Sequence, residues 1–573
     1  MPKPVVGILL AWIVALPVAA APGRPNVLIV ITDDQGYGDL GCHGNPVLKT
    51  PNLDAFARES VQLTHFYVSP VCSPTRSSLM TGRYNYRTGV VDTFVGRSMM
   101  HADEVTVAEM LRDAGYRTGL FGKWHLGDNH PLRPQDQGFE EVLTLRGGGI
   151  AQPSDPPGGS SYADPILFQN GKAKRLKGYV TDVLTDAAIS FISAKDAKPF
   201  LAYVAYNCPH SPFQVQDADW QPYRGIDLGV DAFPKTGSPW VTPKVKTEDI
   251  GKAYGMIANI DMNVGRLIAK VPDNTLVIFL TDNGPGGVRW NAGLRNRKGT
   301  VYDGGIRVPF YVRWKGELAA GRKVNTPAAH IDITPTILEA CGVPAPKKVA
   351  LDGRSVLPLL KGGKVDWPDR HLFFQWHRGD VPELERACAV RGPRYKLVQA
   401  AGVQVGKYTP KFELFDIDND PFEQKDLAPD KPDLVREYRE RHADWYREVK
   451  SNRNFAGPRM RLGSDKENPS VLTRQDWRGP KAGWTPESEG HWDVTVDRAG
   501  TYRVTIDFDA AKEARLAAIQ VGDVIKKAEL PANMTRVVFD RLNLTGGDRK
   551  LEAWVEGEKR AGATFVEVER TGD

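Results

Sequence analysis

The stretch Asn26-Val27-Leu28-Ile29-Val30-Ile31-Thr32-Asp33-Asp34 decides the fold class of this 573-residue chain. Its continuous apolar run is typical of a strand that is buried on both faces, as in parallel sheets. Two later runs, Phe200 to Tyr206 and Leu276 to Thr281, have the same character and also end in polar residues. Helical patterns lie between the runs, at residues 53–61, 105–114, 180–192 and 254–269. This alternation predicts an α/β fold with a large, mostly parallel sheet between layers of helices.

Two of these runs are followed by acidic and amide side chains, namely Asp33, Asp34, Asp282 and Asn283. Ligands of open α/β sheets bind beyond the carboxyl ends of the strands, so we expect these four side chains to meet. Crowded carboxylates resist ionisation unless a cation joins them. An all-oxygen set suits calcium or magnesium better than zinc or copper. The pattern therefore predicts a hard-metal site, and its spacing does not separate Ca²⁺ from Mg²⁺.

A second informative stretch is Cys72-Ser73-Pro74-Thr75-Arg76-Ser77-Ser78-Leu79-Met80-Thr81-Gly82-Arg83. Ser73 is a good N-cap and Pro74 suits the first helical position, which predicts a helix from about Pro74 to Gly82. Cys72 then precedes the helix N-terminus, where free N–H groups and the helix dipole favour anions. Arg76 is expected to lean back over Cys72, because helical side chains point toward the N-terminus. The stretch predicts an anion-binding site around Cys72.

This string closely resembles the signature of the type I sulfatases, and the resemblance runs in order from about Asn26 to about Leu427. It implies an alkaline-phosphatase-like fold, conversion of Cys72 to formylglycine by a formylglycine-generating maturase, and a hydrated aldehyde as the nucleophile, activated by the metal and Arg76. It implies Ca²⁺ as the metal, with Mg²⁺ as the alternative. The implied metal ligands are Asp33, Asp34, the modified Cys72, Asp282 and Asn283.

Further family signatures supply the other predicted catalytic residues. In Gly122-Lys123-Trp124-His125-Leu126-Gly127, Lys123 and His125 lie two apart, and on an extended chain they face the same side. By resemblance, Lys123 contacts the formylglycine and the sulfate, and His125 handles a hydroxyl proton of the hydrate. His210 and Lys298 resemble two further positions that bind the sulfate, and one of them protonates the leaving alcohol.

The surroundings of the expected pocket are less well defined by the sequence. Arg289 and Trp290 lie close in sequence to the metal and sulfate residues, so they are predicted to contact an anionic or stacked sugar ring. The alternative for an arginine in a loop is simple solvation. The loop at Gly147-Gly148-Gly149 is predicted to lie at the rim of the pocket.

The chain divides into several predicted segments. Residues 1–20 are typical of a secretory signal peptide, with Lys3, an apolar core and small residues at Val18-Ala19-Ala20. The catalytic domain is predicted for residues 21–365 and a small antiparallel α+β subdomain for residues 366–451. Residues 452–480 are polar and rich in Gly, Pro and Arg, which favours a linker. Alternating short strands in residues 481–573 predict an appended β-sandwich.

Composition limits the function classes. The net charge is +5 and no nucleic-acid motif is present, so we expect no nucleic-acid partner. The apolar run at the N-terminus is shorter than a bilayer span, so we expect no transmembrane anchor after cleavage and a periplasmic or secreted protein. Five cysteines without a CxxC pair form neither a disulfide scaffold nor a zinc site. They are Cys42, Cys72, Cys208, Cys341 and Cys388.

The combined prediction is an exported, metal-dependent sulfatase that acts on a sulfated small molecule or glycan, with a sulfated carbohydrate as the expected substrate. Two alternatives remain open. A formylglycine-dependent phosphodiesterase or phosphonate monoester hydrolase shares the motif. A glycan-binding protein with a vestigial catalytic domain is the alternative from another class, and there the sandwich carries the function.

Overall fold

The computed structural model describes residues 23–239, 246–557 and 559–572. The predicted signal peptide, residues 1–20, lies outside the described residues. Among the described residues, no helix combines the length and apolar character needed to cross a bilayer.

The catalytic domain is built on one large mixed sheet. Its strands run in the order β11-β2-β10-β9-β1-β8-β4-β5-β6-β7 once they are numbered along the chain. These strands are β1 (Asn26–Thr32), β2 (Val61–Leu63), β4 (Arg117–Lys123), β5 (Glu141–Leu145), β6 (Ile166–Gln169), β7 (Lys172–Arg175), β8 (Phe200–Ala205), β9 (Thr275–Thr281), β10 (Phe310–Arg313) and β11 (Lys323–Val324). The central strands β9, β1, β8, β4 and β5 are parallel to one another, which confirms the predicted mostly parallel sheet. The outer neighbours β10 and β6 are antiparallel to β9 and β5. A small separate pair joins β3 (Phe66–Tyr67) to β12 (Ala328–Ala329).

Helices cover both faces of the sheet. Val27, Ile29 and Ile31 of β1 face one buried cluster, whereas Leu28 and Val30 face another, as the alternation of side chains along a strand requires. The helices are α1 (Pro51–Arg58), α2 (Cys72–Thr81), α3 (Asn85–Thr88), α4 (Val107–Asp113), α5 (Val180–Ile192), α6 (Asp217–Trp220), α7 (Thr247–Ile268), α8 (Asp303–Ile306), α9 (Ile333–Cys341), α10 (Leu357–Lys361) and α11 (Pro432–Arg453). Helices α2, α4 and α9 pack on the first face and α1, α5 and α7 on the second.

The C-terminal subdomain is a small antiparallel sheet with helix α11 packed on it. Its strands are β13 (Leu372–Gln375), β14 (Cys388–Arg391), β15 (Tyr395–Gln399) and β16 (Glu413–Asp416), paired in that order. Tyr438, on helix α11, is buried with Leu397 and Leu414 of this sheet. The predicted small antiparallel C-terminal subdomain is confirmed.

The C-terminal part is a β-sandwich of two facing sheets. One sheet is ordered β17-β19-β24-β21-β22 and the other β18-β26-β20-β23, with β25 paired to β24. The strands are β17 (Met460–Leu462), β18 (Ser470–Thr473), β19 (His491–Val496), β20 (Gly500–Asp507), β21 (Arg515–Val521), β22 (Val524–Leu530), β23 (Arg536–Leu544), β24 (Gly547–Glu556), β25 (Ala561–Gly562) and β26 (Phe565–Gly572). Both sheets contribute to one buried core around Trp477 and Trp492.

The segment predicted as a linker, residues 452–480, differs from that prediction. It contains β17 and β18, which pair with strands of the two sandwich sheets. It also buries Arg474, Gln475, Asp476 and Trp477. Several of its polar side chains, those of Arg474, Gln475 and Asp476 among them, are covered by neighbouring parts of the chain, which composition alone does not show. The other predicted segment boundaries stay predictions.

Candidate active site

The carboxyl ends of β1 and β9 bring the predicted metal ligands together. The two strands are parallel neighbours with Thr32 opposite Thr281, so Asp33-Asp34 and Asp282-Asn283 leave the sheet side by side. Ligand atoms of Asp33, Asp34, Cys72 and Asp282 all lie within 4.8 Å of one another. All four residues are buried. The meeting of these side chains agrees with the expectation from the strand ends.

Helix α2 places Cys72 against this cluster, but its start differs from the prediction. The helix begins at Cys72, with extended Val71 as its N-cap residue and no side-chain cap hydrogen bond. The predicted cap is therefore wrong, since Ser73 lies inside the helix and its Oγ has no hydrogen-bond partner among the described residues. The end is as predicted, because Gly82 follows the helix in the left-handed conformation.

The thiol of Cys72 is a poor nucleophile in this environment. Its Sγ donates to Asp33 Oδ1 at 3.3 Å and accepts from Lys298 Nζ at 3.3 Å. Burial, reinforced by the charge of Asp33, raises the pKa of the Cys72 thiol to about 12. Because the thiolate is the reactive form of cysteine, burial and the charge of Asp33 act against the reactivity of an unmodified Cys72.

Each carboxylate of the cluster has its own cationic partner. Lys123 Nζ lies 2.6 Å from Asp33, Arg76 Nη2 lies 2.8 Å from Asp282, and Lys298 Nζ forms an ion pair with Asp34. Three carboxylates thus balance three cations. Burial and the charge of Asp33 nevertheless raise the pKa of Asp282 to about 6. The centre is therefore a crowded, nearly neutral group of charges.

The donor set fits a hard divalent cation. Asn283 Nδ2 donates to Asp34 Oδ1 at 2.8 Å and to the Gly284 carbonyl at 2.9 Å. Its Oδ1 is buried and has no partner among the described residues. A buried amide oxygen without a donor beside converging carboxylates is the arrangement that a calcium or magnesium ion completes. The predicted ligands Asp33, Asp34, Asp282 and Asn283 are thus suitably placed to hold such an ion.

His125 lies beyond the end of β4, in a different conformation from the one expected. The strand ends at Lys123, and His125 has φ 61°, so the two residues do not share an extended chain. His125 Nε2 lies 2.7 Å from the Thr93 carbonyl, while its buried Nδ1 has no partner among the described residues. Burial and the charge of Lys123 hold the pKa of His125 well below its usual value.

His210 and Lys298 lie on the more accessible side of the centre. Their side chains are 15% and 22% exposed, whereas those of Arg76 and Lys123 are fully buried. His210 Nε2 is 3.8 Å from Asp34 Oδ2, and its Nδ1 is 2.6 Å from the Ser211 carbonyl. Burial, with the charges of Lys298 and Lys123, lowers the pKa of His210 to about 4 despite Asp34. A substrate that reaches the cluster from solvent would meet these two residues first.

The loop at Gly147-Gly148-Gly149 lies against both histidines. A Cβ atom on Gly148 would be 2.5 Å from His125 Cε1, so the backbone approaches the imidazole as closely as glycine permits. A Cβ atom on Gly149 would be 3.3 Å from His210 Nδ1. This placement is consistent with the predicted role of the loop beside the pocket.

Arg289 and Trp290, predicted to bind substrate, are almost completely buried. Each is 3% exposed. Arg289 pairs with Asp39 and donates to the carbonyl of Asp34 at 2.6 Å. Trp290 stacks on Phe233 with ring centroids 5.8 Å apart. Both residues are close to the metal ligands in sequence, but their side chains are buried beneath the site. There Arg289 hydrogen-bonds to the backbone of Asp34, a predicted metal ligand.

Asn207 was not among the residues predicted for the site. It follows β8, is fully buried, and neither its Nδ2 nor its Oδ1 has a partner among the described residues. The next residue, Cys208, accepts a hydrogen bond from the amide of Asp33 at 3.2 Å. Asn207 could have been found from its position just after a buried strand, because the metal ligands follow neighbouring strands in the same way.

All five cysteines lie within the described ranges and are free thiols. Cys208, Cys341 and Cys388 are buried. Among them only Cys72 belongs to the cluster of metal-ligating side chains found in the described part of the chain.

Comparison with known proteins gives the family. The family model described as Sulfatase matches residues 25–343, which is more than half of the chain. The chain belongs to the sulfatase family. A second model, described as N-sulphoglucosamine sulphohydrolase, C-terminal, matches residues 295–443.

Individual relatives agree with this assignment. Arylsulfatase A of Homo sapiens is 33% identical over 427 residues, covering 67% of this chain and 76% of the relative. Steryl-sulfatase of Mus musculus is 28% identical over 536 residues, covering 74% and 81%. The solved structure of Ps i-CgsB in complex with k-i-k-neocarrahexaose has a TM-score of 0.64 at 27% identity, covering 75% of this chain and 94% of that chain. The predicted sulfuric ester hydrolase and its alkaline-phosphatase-like fold are confirmed.

Proposed function

We propose that this sulfatase hydrolyses sulfate monoesters of a sulfated carbohydrate, with a formylglycine made from Cys72 and a divalent cation, Ca²⁺, at the centre. The observation that carries the proposal is the convergence of Cys72 with Asp33, Asp34 and Asp282 within 4.8 Å. The unpartnered Oδ1 of Asn283 beside them supports the metal. Mg²⁺ has the same ligand preferences and is the alternative ion.

The charge balance explains how the centre attracts its substrate. The three carboxylates are matched by Arg76, Lys123 and Lys298. A divalent cation held by Asp33, Asp34, Asp282, Asn283 and residue 72 therefore leaves the centre positive. A sulfate monoester is an anion, and fixed charges in a buried site stabilise it more strongly than water-exposed charges do.

When present, the cation and the hydrated aldehyde at residue 72 supply a Lewis acid and a hydroxyl nucleophile. The chain's own residues bind and orient the substrate around them. Lys123 and Arg76 lie on the buried side, next to Asp33 and Asp282. Lys298 and His210 lie on the side open to solvent, where the alcohol portion must stay. We assign the protonation of the leaving alcohol to Lys298 or His210 and proton uptake to Nδ1 of His125.

A sulfated carbohydrate is the proposed substrate because Ps i-CgsB, 27% identical to this chain, was solved with an oligosaccharide bound. We also propose export to the periplasm or the outside of the cell, on the basis of the signal-like residues 1–20. A formylglycine-generating maturase is the proposed partner, since the resemblance of residues 72–83 to the type I sulfatase signature implies conversion of Cys72.

The test is sulfate release from an aryl sulfate and from a panel of defined sulfated sugars, with full-length protein matured in the cell and supplied with calcium. We expect turnover by the wild type, loss of turnover in Cys72→Ala, and an aldehyde at residue 72 in the wild-type peptide by mass spectrometry. Full activity of Cys72→Ala, or an unmodified thiol in an active preparation, would contradict the proposed chemistry. Faster turnover of an aryl phosphodiester than of the aryl sulfate would favour the phosphodiesterase alternative.

A further inference from the structure

One backbone carbonyl links the active site to the β-sandwich. The carbonyl oxygen of Thr93 accepts a hydrogen bond from His125 Nε2 at 2.7 Å and another from Gln475 Nε2 at 3.0 Å. Gln475 follows strand β18 of the sandwich and lies outside both segments matched by the family models. We propose that Gln475 is a positioning residue for His125, and that the sandwich is therefore part of the catalytic unit.

The Thr93 carbonyl determines which nitrogen of His125 carries the proton. A carbonyl oxygen only accepts, so Nε2 is the protonated nitrogen of the neutral ring and Nδ1 keeps its lone pair. Nδ1 is buried and has no partner among the described residues, so it is the atom available to accept a proton. A shift of the Thr93 carbonyl would change both the direction of the imidazole and the preference for this tautomer.

Gln475 contacts the segment Thr93–Met99 at several points. Its Nε2 also donates to Ser98 Oγ at 3.1 Å, and its backbone carbonyl accepts from the amide of Gly96 at 2.9 Å. Gln475 is 1% exposed. These bonds connect the beginning, middle and end of the segment to a single buried residue of the sandwich.

The conformation of that segment depends on the sandwich for a second reason. Val95 has φ 57°, a left-handed conformation that is strongly disfavoured for a β-branched residue. Its side chain and that of Met99 are buried in the core of the sandwich, together with Trp477 and Trp492. Strained backbone persists only where the surroundings impose it, and here the sandwich core supplies those surroundings.

His125 has little freedom on its other side. The backbone at Gly148 contacts the imidazole, and a Cβ atom on the adjacent Gly147 would lie 3.5 Å from Gln475 Cγ. His125 is thus confined between the Gly148 backbone and the Thr93 carbonyl, and Gln475 lies beside both segments. Loss of the Gln475 amide would remove the hydrogen bond that holds the Thr93 carbonyl against His125.

The inference rests on the proposed function, but its test does not depend on turnover alone. Gln475→Met keeps the side-chain volume and removes the donor, and the lost Oε1 has no partner among the described residues. Gln475→Asn is a second variant, which keeps the amide but shortens its reach, in case the methionine variant fails to fold. Gln520→Met is the matched control, because the one hydrogen bond that Gln520 Nε2 donates within the described ranges goes to the nearby Gly522 carbonyl of the sandwich.

Two readouts are measured on calcium-loaded, full-length protein. The first is the steady-state kinetics with an aryl sulfate, where we expect kcat to fall about tenfold to a hundredfold with little change in KM, because a misplaced group affects the chemical step more than binding. The second is the ¹⁵N spectrum of the histidine rings, assigned by His125→Gln, together with amide exchange of residues 93–99. Here we expect an altered His125 signal and faster exchange in both Gln475 variants, but not in Gln520→Met.

The outcomes separate the two proposals. An unchanged His125 signal and unchanged exchange in the Gln475 variants would overturn the positioning role, whatever the kinetics show. Equal losses in Gln520→Met would also overturn it, since the effect would then be general destabilisation. Absence of sulfate ester hydrolysis in the wild type would contradict the proposed function, while the ring spectrum and exchange would still decide whether Gln475 positions His125.

Discussion

Two buried clusters of charge in this protein differ in how completely their polar atoms are paired. The catalytic cluster contains Asp33, Asp34, Asp282, Arg76, Lys123 and Lys298. The scaffold cluster contains Lys396, Asp303, Glu423 and Arg307 and joins the C-terminal subdomain to the loop that follows Lys298. Each cluster has as many cations as carboxylates, so net charge does not distinguish them.

In the scaffold cluster the hydrogen bonds form a closed network. Lys396 Nζ lies 2.7 Å from Asp303 Oδ1 and 2.8 Å from Glu423 Oε1. The second oxygen of Glu423 accepts from the amide of Asp303 at 2.7 Å, and Asp303 Oδ2 accepts from Tyr67 at 3.4 Å. Charges arranged in this way connect two parts of the fold, and each carboxylate oxygen of Asp303 and Glu423 already has a partner.

In the catalytic cluster the ion pairs surround atoms without partners. Asn283 Oδ1 and His125 Nδ1 are buried and unpartnered within the described part of the chain. Native proteins rarely leave buried polar atoms unsatisfied, and the exceptions need a reason such as an ion or a catalytic role. Incomplete pairing of neighbouring polar atoms, rather than the presence of buried charge, therefore separates the catalytic cluster from the scaffold cluster.

The largest expected effect comes from removing one carboxylate charge from each cluster. Asp33→Asn should lower kcat/KM about a thousandfold, since it removes a metal ligand and leaves Lys123 buried without its partner. It should also abolish the rise in Tm on addition of calcium. The matched variant Asp303→Asn should keep that calcium-dependent rise but lower the unfolding free energy by about 3–5 kcal/mol. The measurements are thermal unfolding with and without calcium and the kinetics with an aryl sulfate. If both variants behaved alike, the proposed functional difference between the two clusters would be refuted.

Much of the catalytic cluster, but not the scaffold cluster, was predicted from the sequence. The strand Asn26–Thr32 and the helix that begins at Cys72 are local patterns, and strand ends of a parallel sheet converge, so the Asp33-Asp34 and Asp282-Asn283 pairs were predicted to meet. The catalytic assignments of Lys123, His125, His210 and Lys298 came from the family signatures. The structure places all four residues around the cluster.

Residues whose environment depends on distant contacts were not predictable in this way. Arg289 and Trp290 are adjacent to the site in sequence, but Asp39 and Phe233 cover them. The polar segment 452–480 suggested a linker because composition does not show that Gln475 bonds to Thr93, 382 positions away. The conformation of His125 also depends on that distant segment.

An intermediate effect is expected from the protonation of the scaffold cluster. Burial, reinforced by Asp303 and opposed by Lys396, raises the pKa of Glu423 from 4.5 to about 7. The folded state therefore keeps this proton where the unfolded state has lost it, and the stability contribution falls as pH rises from about 4.5 to about 7. The fall is on the order of 3 kcal/mol.

This pH dependence is measured as the difference in unfolding free energy between the wild type and Glu423→Gln, in saturating calcium so that the metal ligands stay ionised. The wild type should lose stability relative to the variant as pH rises through this window. A difference that is constant with pH would show that Glu423 has its ordinary pKa in the folded protein, and a difference of the opposite sign would show that Lys396 lowers that pKa; either result would contradict the prediction.

The smallest expected effect concerns the support beneath the catalytic cluster. Arg289 pairs with Asp39 through its guanidinium and donates to the carbonyl of Asp34, a ligand residue with φ 66°. A lysine cannot make both contacts with the same geometry, so Arg289→Lys should weaken calcium binding about tenfold, as the loss of an outer contact to a metal ligand usually does. At saturating calcium its kcat should approach that of the wild type.

Trp290→Phe, which preserves an aromatic stack on Phe233, is the control and should bind calcium normally. A raised KM for sulfated sugars in Arg289→Lys at unchanged calcium affinity would instead restore the original assignment of Arg289 to the substrate, because a residue that acts only through Asp34 should affect the ion first.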